Sequence, residues 1–340
     1  MKRSKKVGFA VLGLGAIARS SVLPAFKNAK SAELIALVSR DKRKAISMAR
    51  EFKAKAAYSV EEFDACLANP SVHAVYIATP PGEHLEAVDR VARAGKHVLC
   101  EKPLAATAEQ SAKIVEVCEQ HGVKLMTAYR KHFEPSTLFL KNLVRSGKFG
   151  TIDMVHTVFS ELHIAGKSVP WLLDARLAGG GPLMDLGVYC LNTTRWMLEE
   201  DPTEVDAVSW KKNTERFTQV EEGISFRAQF PSGCILQAST TYSSAISSFM
   251  FVQGEKGWAC LTPAFPFDED RLLTGKIKGK GFSHNFKIVD EFAPELESFA
   301  QAILKNRPVQ PDGKQGHRDM RIIDAIYESA SKQTPVVIRY

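Results

Sequence analysis

The segment that most constrains this chain is VGFAVLGLGAIA, residues 7–18. An apolar run, VGFAVLG (7–13), leads directly into the spacing G-x-G-x-x-A, carried by Gly13, Gly15 and Ala18. Gly13 permits a tight strand-to-helix turn. Gly15 leaves no side chain between the backbone and a pyrophosphate, and Ala18 allows close packing of helix on strand. A helix opening at Ala16 and Ile17 would turn its unpaired N–H groups toward phosphates. Such a motif has meaning only between a strand and a helix in a βαβ unit of ~30 residues. The run LIALVS (34–39) supplies the second strand. The stretch MKRSKKVGFAVLGLGAIARS also has the outline of an export signal, with a cationic start, an apolar middle and a small-x-small end. Cleavage after Ala18 would remove the first strand of a sheet whose second strand is legible. The strand reading is therefore adopted, and a cytoplasmic protein is expected.

The same alternation continues. VHAVYIAT (72–79), KHVLC (96–100) and VKLMTAY (123–129) read as further buried strands, with helices between them. Ser59/Glu62 and Thr107/Gln110 have capping-box spacing. Gly95 and Gly122 stand where helix ends need a left-handed residue. Pro24 is expected to break or kink the first crossover helix. Past residue 150 the texture changes to longer strand-like runs, at 151–160, 203–210, 223–230, 233–242 and 247–254, with hairpin turn signals such as PSG at 231–233. One long helix, 181–198, interrupts them, and two more (about 291–305 and 316–332) should cover the sheet or return to the first domain. The expected architecture is α/β. A Rossmann dinucleotide-binding domain (1–128) is followed by an α+β domain (129–340) with a mostly antiparallel open sheet, for substrate binding and oligomerisation.

Composition excludes several alternatives. With 340 residues, 45% hydrophobic and 24% charged, this is an ordinary globular chain with no apolar run long enough to span a membrane. The net charge of +7 is dispersed. Its densest basic stretch, GKIKGKGFSHNFK (275–287), is accompanied by no aromatic platform or helix-turn-helix pattern and reads as a solvated hairpin, so no nucleic-acid partner is expected. Six cysteines without a CxxC pair indicate buried thiols in a reducing compartment, and nine histidines show no metal spacing, so no metal is expected.

The end of the second strand selects the cofactor. NAD-binding folds usually place an acid about 20 residues past the glycines to hold the ribose hydroxyls. Here the chain reads LVSRDKRK, with Ser39 and Arg40 at the turn and Lys44 beyond. A hydroxyl, a guanidinium fork and a lysine suit a 2′-phosphate, so NADP is expected over NAD. Asp41 could instead turn inward. Lys42 and Arg43 read as a solvated helix start.

Two segments carry candidate chemistry. CEKPLA (100–105) follows a strand at the carboxyl edge of the sheet, where open α/β sheets bind ligands, and presents Lys102 there. LAGGGPLMDLGVYCLN (177–192) combines three glycines, Pro182 at a helix start, and Asp185 and Tyr189 four residues apart, which on a regular helix is one face. A carboxylate and a phenol on one face suit a polyol. A dipole-satisfying aspartate and a core tyrosine have the same spacing.

The residues named so far, with ATPPGEHLEAV, AGKHVLCEKPLA, AYRKHFEP and DMRIIDAIYESA, make the sequence resemble the glucose-fructose oxidoreductase / inositol dehydrogenase / MocA (Gfo/Idh/MocA) family over nearly its whole length. AYRKHFEP and GGGPLMDLGVY look most like the glucose-fructose oxidoreductase branch. The resemblance implies that Glu101 and Lys102 form the EKP loop, and that Thr79, Pro80 and His84 lie beside the cofactor. It further implies that Arg130 supports cofactor or substrate, and that Trp171 lies near the nicotinamide. Leu172 departs from the branch, which has arginine there. The family's open sheet implies a homo-dimer or homo-tetramer.

The expected activity is hydride transfer between a sugar carbon and nicotinamide. A phenol is a poor base at neutral pH and a nearby cation improves it. Tyr189 is the expected acid/base, Lys102 the cation and Asp185 the group that orients the sugar. The alternatives are an NADP-dependent xylose or trans-dihydrodiol dehydrogenase with exchanging cofactor, and a non-catalytic NADP-binding regulator. His163, in the loop before Trp171, could reach substrate.

Overall fold

The computed structural model describes residues 6–162 and 170–340, which divide into two compact units. The first runs to Arg130 and takes in Asp290–His317; the second comprises Lys131–Val289 and Arg318–Tyr340. His163 lies outside the described residues.

The first unit is built on six parallel strands: β1 Val7–Leu12, β2 Ala32–Ser39, β3 Ala56–Ser59, β4 Ala74–Ile77, β5 His97–Glu101 and β6 Leu125–Ala128. Their order is β3-β2-β1-β4-β5-β6. Every residue of β1 and β4 is buried, as expected of central strands covered on both faces. Phe9 is fully buried, and its ring meets Phe26 edge-on at 5.6 Å and Phe299 at 6.2 Å. Truncating such a ring costs about 3–5 kcal/mol. Phe299 belongs to the helix Phe292–Leu304, so this late helix returns to the first sheet. Its Glu297 accepts from the Ser31 backbone N–H and hydroxyl, each at 2.7 Å.

Local signals hold in part. Thr107 caps its helix by accepting from the Gln110 N–H, and Gly95 and Gly122 are left-handed at φ 67° and 63°. At Ser59 the capping spacing is used differently. Glu62 reaches back to the Ser59 N–H at 2.9 Å, but the helix begins only at Phe63. Pro24 does not break the first crossover helix, which runs over 16–25. A π-helical turn, Ala18–Val22, precedes it, with the Leu23 N–H bonding to Ala18 O, and Pro24 sits in the first turn of the following segment. A proline is tolerated there because no N–H is required of it.

The second unit holds nine strands: β7 Ile152–Leu162, β8 Glu204–Trp210, β9 Gly223–Gln229, β10 Ile235–Thr241, β11 Ser243–Gly254, β12 Gly257–Thr262, β13 Arg271–Ile277, β14 Lys280–Phe286 and β15 Val336–Val337. The order is β14-β13-β12-β11-β7-β10-β9-β8-β15, antiparallel except for the β7–β10 pair. Burial alternates along β9 and β10, so Phe226, Ala228, Leu236 and Ala238 form one buried face. The basic stretch 275–287 is the β13–β14 hairpin, turning at Lys278 and Gly279. Its exposed lysines stand on the sheet's edge, where charge discourages pairing with another chain. All six cysteines are free and five are buried. Among the described residues no helix is long and apolar enough to cross a membrane, and no cluster of three metal-ligating side chains occurs.

Candidate functional site

In the first unit the cofactor-side candidates gather at the carboxyl ends of parallel strands. The order reverses between β1 and β4, which is where open α/β sheets open a crevice. Gly13 stands at φ 91°, and a Cβ there would come within 2.6 Å of Ala78 O, so only glycine lets the β1 turn lie against the loop after β4. At Gly15 a Cβ would meet nothing within 4 Å. The two glycines therefore have different causes: Gly13 is required by the fold, whereas Gly15 leaves open space before the helix 16–25. Gly15 and Ala16 are exposed and Ile17 is half-buried. The leading N–H groups of a helix have no intrahelical partner and favour an anion. Across the crevice, Thr79 Oγ1 is buried without a hydrogen-bond partner, and Pro80 is half-buried beside it. This cradle fits a dinucleotide pyrophosphate.

At the end of β2, Ser39 Oγ accepts from the Asp41 N–H at 3.2 Å, and Arg40 is exposed, 3.8 Å from Glu83. Asp41 does not turn inward. Its carboxylate caps the helix Lys42–Phe52 by accepting from the Lys44 N–H at 3.1 Å. Lys42 is an outer-surface residue paired with Glu62 at 2.5 Å. The Lys44 side chain is exposed on the first turn.

His84 is fully buried. Its ring nitrogens lie 2.8 Å from Thr79 O and 3.1 Å from Leu104 O, and burial lowers its pKa. It therefore joins the loop after β4 to the loop after β5 from behind. Lys102, half-buried, leads into that second loop, and its N–H donates to Glu101 Oε2 at 3.2 Å. Glu101 Oε1 accepts from the Tyr76 hydroxyl at 2.7 Å. Arg130 is buried too, in an ion pair with Glu291 at 2.5 Å. Glu101, His84 and Arg130 are thus buried supports, with His84 bonded directly to the Thr79 carbonyl.

In the second unit Asp185 and Tyr189 lie on the helix 182–198, but its first part is a π-helical turn, Leu183–Gly187. The Val188 N–H reaches Leu183 O, five residues back, so the regular i, i+4 face expected from spacing is widened between the two residues. Asp185 is half-buried and accepts at Oδ2 from the Tyr242 hydroxyl at 3.1 Å. Tyr189 is buried edge-on against Phe159 (5.8 Å) and near Phe265 (5.9 Å). Trp171, half-buried, belongs to a 3-10 turn, Pro170–Leu173.

The glycine run is explained by the protein's own groups. Gly179 ends a short helix at φ 81°. A Cβ on Gly180 would lie 2.0 Å from the Tyr327 hydroxyl, and one on Gly181 would lie 2.3 Å from Glu221 O. Glu221 then caps the Asp185 helix, accepting from the Gly181 N–H (2.8 Å), the Leu183 N–H (3.0 Å) and the Tyr327 hydroxyl (3.0 Å). Burial pushes the Glu221 pKa up, and the two backbone donors oppose this. Burial and the Asp185 charge push the Tyr242 hydroxyl well above its ordinary value, so it stays a donor. Tyr242 and Glu221 carry no local motif, Tyr327 lies in DMRIIDAIYESA without being singled out there, and only the folded chain connects them to Asp185.

Comparison with known proteins agrees with this architecture. The model of an oxidoreductase family with an NAD-binding Rossmann fold matches residues 7–129, and that of the GFO/IDH/MocA C-terminal domain matches 137–260. The chain belongs to the Gfo/Idh/MocA family. A Gfo/Idh/MocA relative, the D-xylose 1-dehydrogenase [NADP(+)] of Haloarcula marismortui, is 33% identical over 97% of this chain and 92% of its own. The D-xylose 1-dehydrogenase (NADP(+)) 2 of Haloferax volcanii is 33% identical over 95% of this chain and 97% of its own. Among solved structures, the aldose-aldose oxidoreductase from Caulobacter crescentus complexed with glycerol is 34% identical, with a TM-score of 0.93. That match covers 98% of this chain and all of the other. The chain is thus an NAD(P)-dependent oxidoreductase of a Gfo/Idh/MocA family that acts on sugar hydroxyls.

Proposed function

We propose that this protein is an NADP-dependent aldose oxidoreductase. The observation that carries the reading is the half-buried Asp185 carboxylate, held by Tyr242 one helical turn before Tyr189. A fixed acceptor beside a phenol suits a sugar hydroxyl that must be oriented and deprotonated. Bound NADP supplies the hydride acceptor. Tyr189 would take the proton from the oxygen of the reacting hydroxyl while the C–H bond at the same carbon gives up its hydride and the carbonyl forms, and Lys102 would stabilise negative charge on that oxygen as it develops. Asp185 accepts a second sugar hydroxyl and fixes the ring. Trp171 closes the nicotinamide side.

Gly13, Gly15, Ala16 and Ile17 hold the pyrophosphate in this reading, and Ser39, Arg40 and Lys44 hold the 2′-phosphate. The choice of NADP is supported by Asp41, whose carboxylate is committed to a helix cap and does not turn inward as a ribose-binding acid would. Thr79 and Pro80 line the nicotinamide approach, with His84, Glu101 and Arg130 supporting from behind. The outer face of the second sheet, where Met154 and Val208 are exposed around a cavity of about 470 Å³ bordered by His156, Arg227 and Gln237, is the proposed homo-oligomer contact.

The xylose dehydrogenase relatives favour a second reading, in which the product leaves and the cofactor exchanges. One assay separates the two. Nicotinamide absorbance is measured in freshly dialysed protein, which is then offered an aldose panel with and without added NADP. Retained cofactor that cycles between two sugars supports coupled aldose–aldose chemistry. Strict dependence on added NADP supports the dehydrogenase. No turnover with any aldose overturns both.

A further inference from the structure

Three glutamates converge below the Lys102 loop, all within the first unit. Glu291 pairs with Arg130. Glu101 receives two donors, the Tyr76 hydroxyl and the Lys102 N–H. Glu295, on the helix Phe292–Leu304, is fully buried, and neither of its carboxyl oxygens has a hydrogen-bond partner. The groups acting on it are Glu101 from the end of β5, Tyr76 from β4, Arg130 from beyond β6 and Glu291 from its own helix start. Arg130 is already paired with Glu291 and the Tyr76 hydroxyl donates to Glu101, so an ionised Glu295 would be a desolvated charge sharing groups engaged elsewhere, beside a second carboxylate. A buried group in that position neutralises instead.

We propose that Glu295 is a positioning residue: it remains a protonated carboxylic acid in the folded enzyme, and so lets Glu101 stay an anion that holds the Lys102 backbone. Burial pushes both carboxyls up, and the proton goes to Glu295 because Glu101 holds the Tyr76 hydroxyl and the Lys102 N–H at hydrogen-bond distance. Burial and the Glu101 charge push the Glu295 pKa well above the usual carboxylate range, against the opposing pull of Arg130. Its consequence for catalysis rests on the role proposed for Lys102, but its protonation does not.

The test uses the full-length protein and Glu295→Gln, which keeps shape and neutrality. A protonated-carboxyl stretch is expected in the infrared spectrum of the wild type at neutral pH and should be missing from the variant. The folded pKa lies above the unfolded one, so wild-type stability falls as pH rises from the unfolded value toward the folded value. In Glu295→Gln that slope of Tm against pH should flatten. Turnover at neutral pH should stay within about threefold of wild type, and its alkaline decline should move to higher pH. An unchanged infrared band together with an unchanged slope overturns the proposal. If Glu295→Gln does not fold, Glu295→Met, neutral and of similar length, is read by the same two measurements. An active Lys102→Ala would overturn the role of Lys102 while leaving the infrared result for Glu295 intact.

Discussion

The Tyr242 hydroxyl donates to Asp185 Oδ2 at 3.1 Å, and this bond fixes the carboxylate on the π-helical turn that precedes Tyr189. Tyr242→Phe removes the donor and keeps the ring. A hydrogen bond to a charged group contributes about 1.5–3 kcal/mol, so kcat/KM for the sugar should fall roughly 10- to 100-fold. NADP affinity should not change. Steady-state kinetics with calorimetric NADP titration check both halves.

Lys102→Ala should lower turnover by about a hundred- to a thousandfold, the usual scale for losing one electrostatic stabiliser of a developing oxyanion. NADP should still bind. Wild-type-like turnover in the variant would remove Lys102 from the mechanism.

Arg40→Ala should weaken NADP binding by roughly 10- to 100-fold and leave NAD affinity within about twofold. The present Arg40–Glu83 contact is exposed and long at 3.8 Å, so its loss should not alter Tm. Equal losses for NADP and NAD would contradict the assignment of the 2′-phosphate.

Legibility followed burial and local chemistry. Gly13 and Gly15 were readable because a strand, a turn and a helix start coincide within a few residues. The buried strands β1, β2, β4, β5 and β6 announced themselves by unbroken apolar runs. β3 did not, being four residues, AAYS, on the sheet edge. β12 was also missed, and 275–287 was read as a solvated hairpin but not as two strands of the large sheet, because β14, KGFSHNF, is largely exposed and carries no alternating apolar face. The two π-helical turns, Ala18–Val22 and Leu183–Gly187, have no sequence signature of their own, which is why Pro24 and the Asp185–Tyr189 spacing were read as in a regular helix. The partners of Asp185 are distant in sequence: Tyr242 is 57 residues away, a separation no local pattern bridges.

Glu134 makes the acid limb of stability predictable. Burial would raise its pKa, but the Lys131 charge and the Ser136 and Thr137 hydroxyls, with Arg271, hold it down to about 2 from a usual 4.5. The folded pKa is the lower one, so this stabilisation is present above about pH 4.5 and is lost as pH falls toward 2. The shift corresponds to roughly 3 kcal/mol. Glu134→Gln should lower Tm at neutral pH and flatten its decline between those limits, as followed by thermal denaturation across a pH series.

The most direct test of the central claim follows the transferred hydrogen. A fully carbon-deuterated aldose is incubated with the protein and NADP, and the reduced cofactor is analysed by mass spectrometry. The account predicts one deuterium per reduced cofactor, with labelled cofactor forming at least about a hundredfold more slowly in Lys102→Ala and in Tyr189→Phe. Reduced cofactor without deuterium, or labelled cofactor forming at the wild-type rate in either variant, would contradict it.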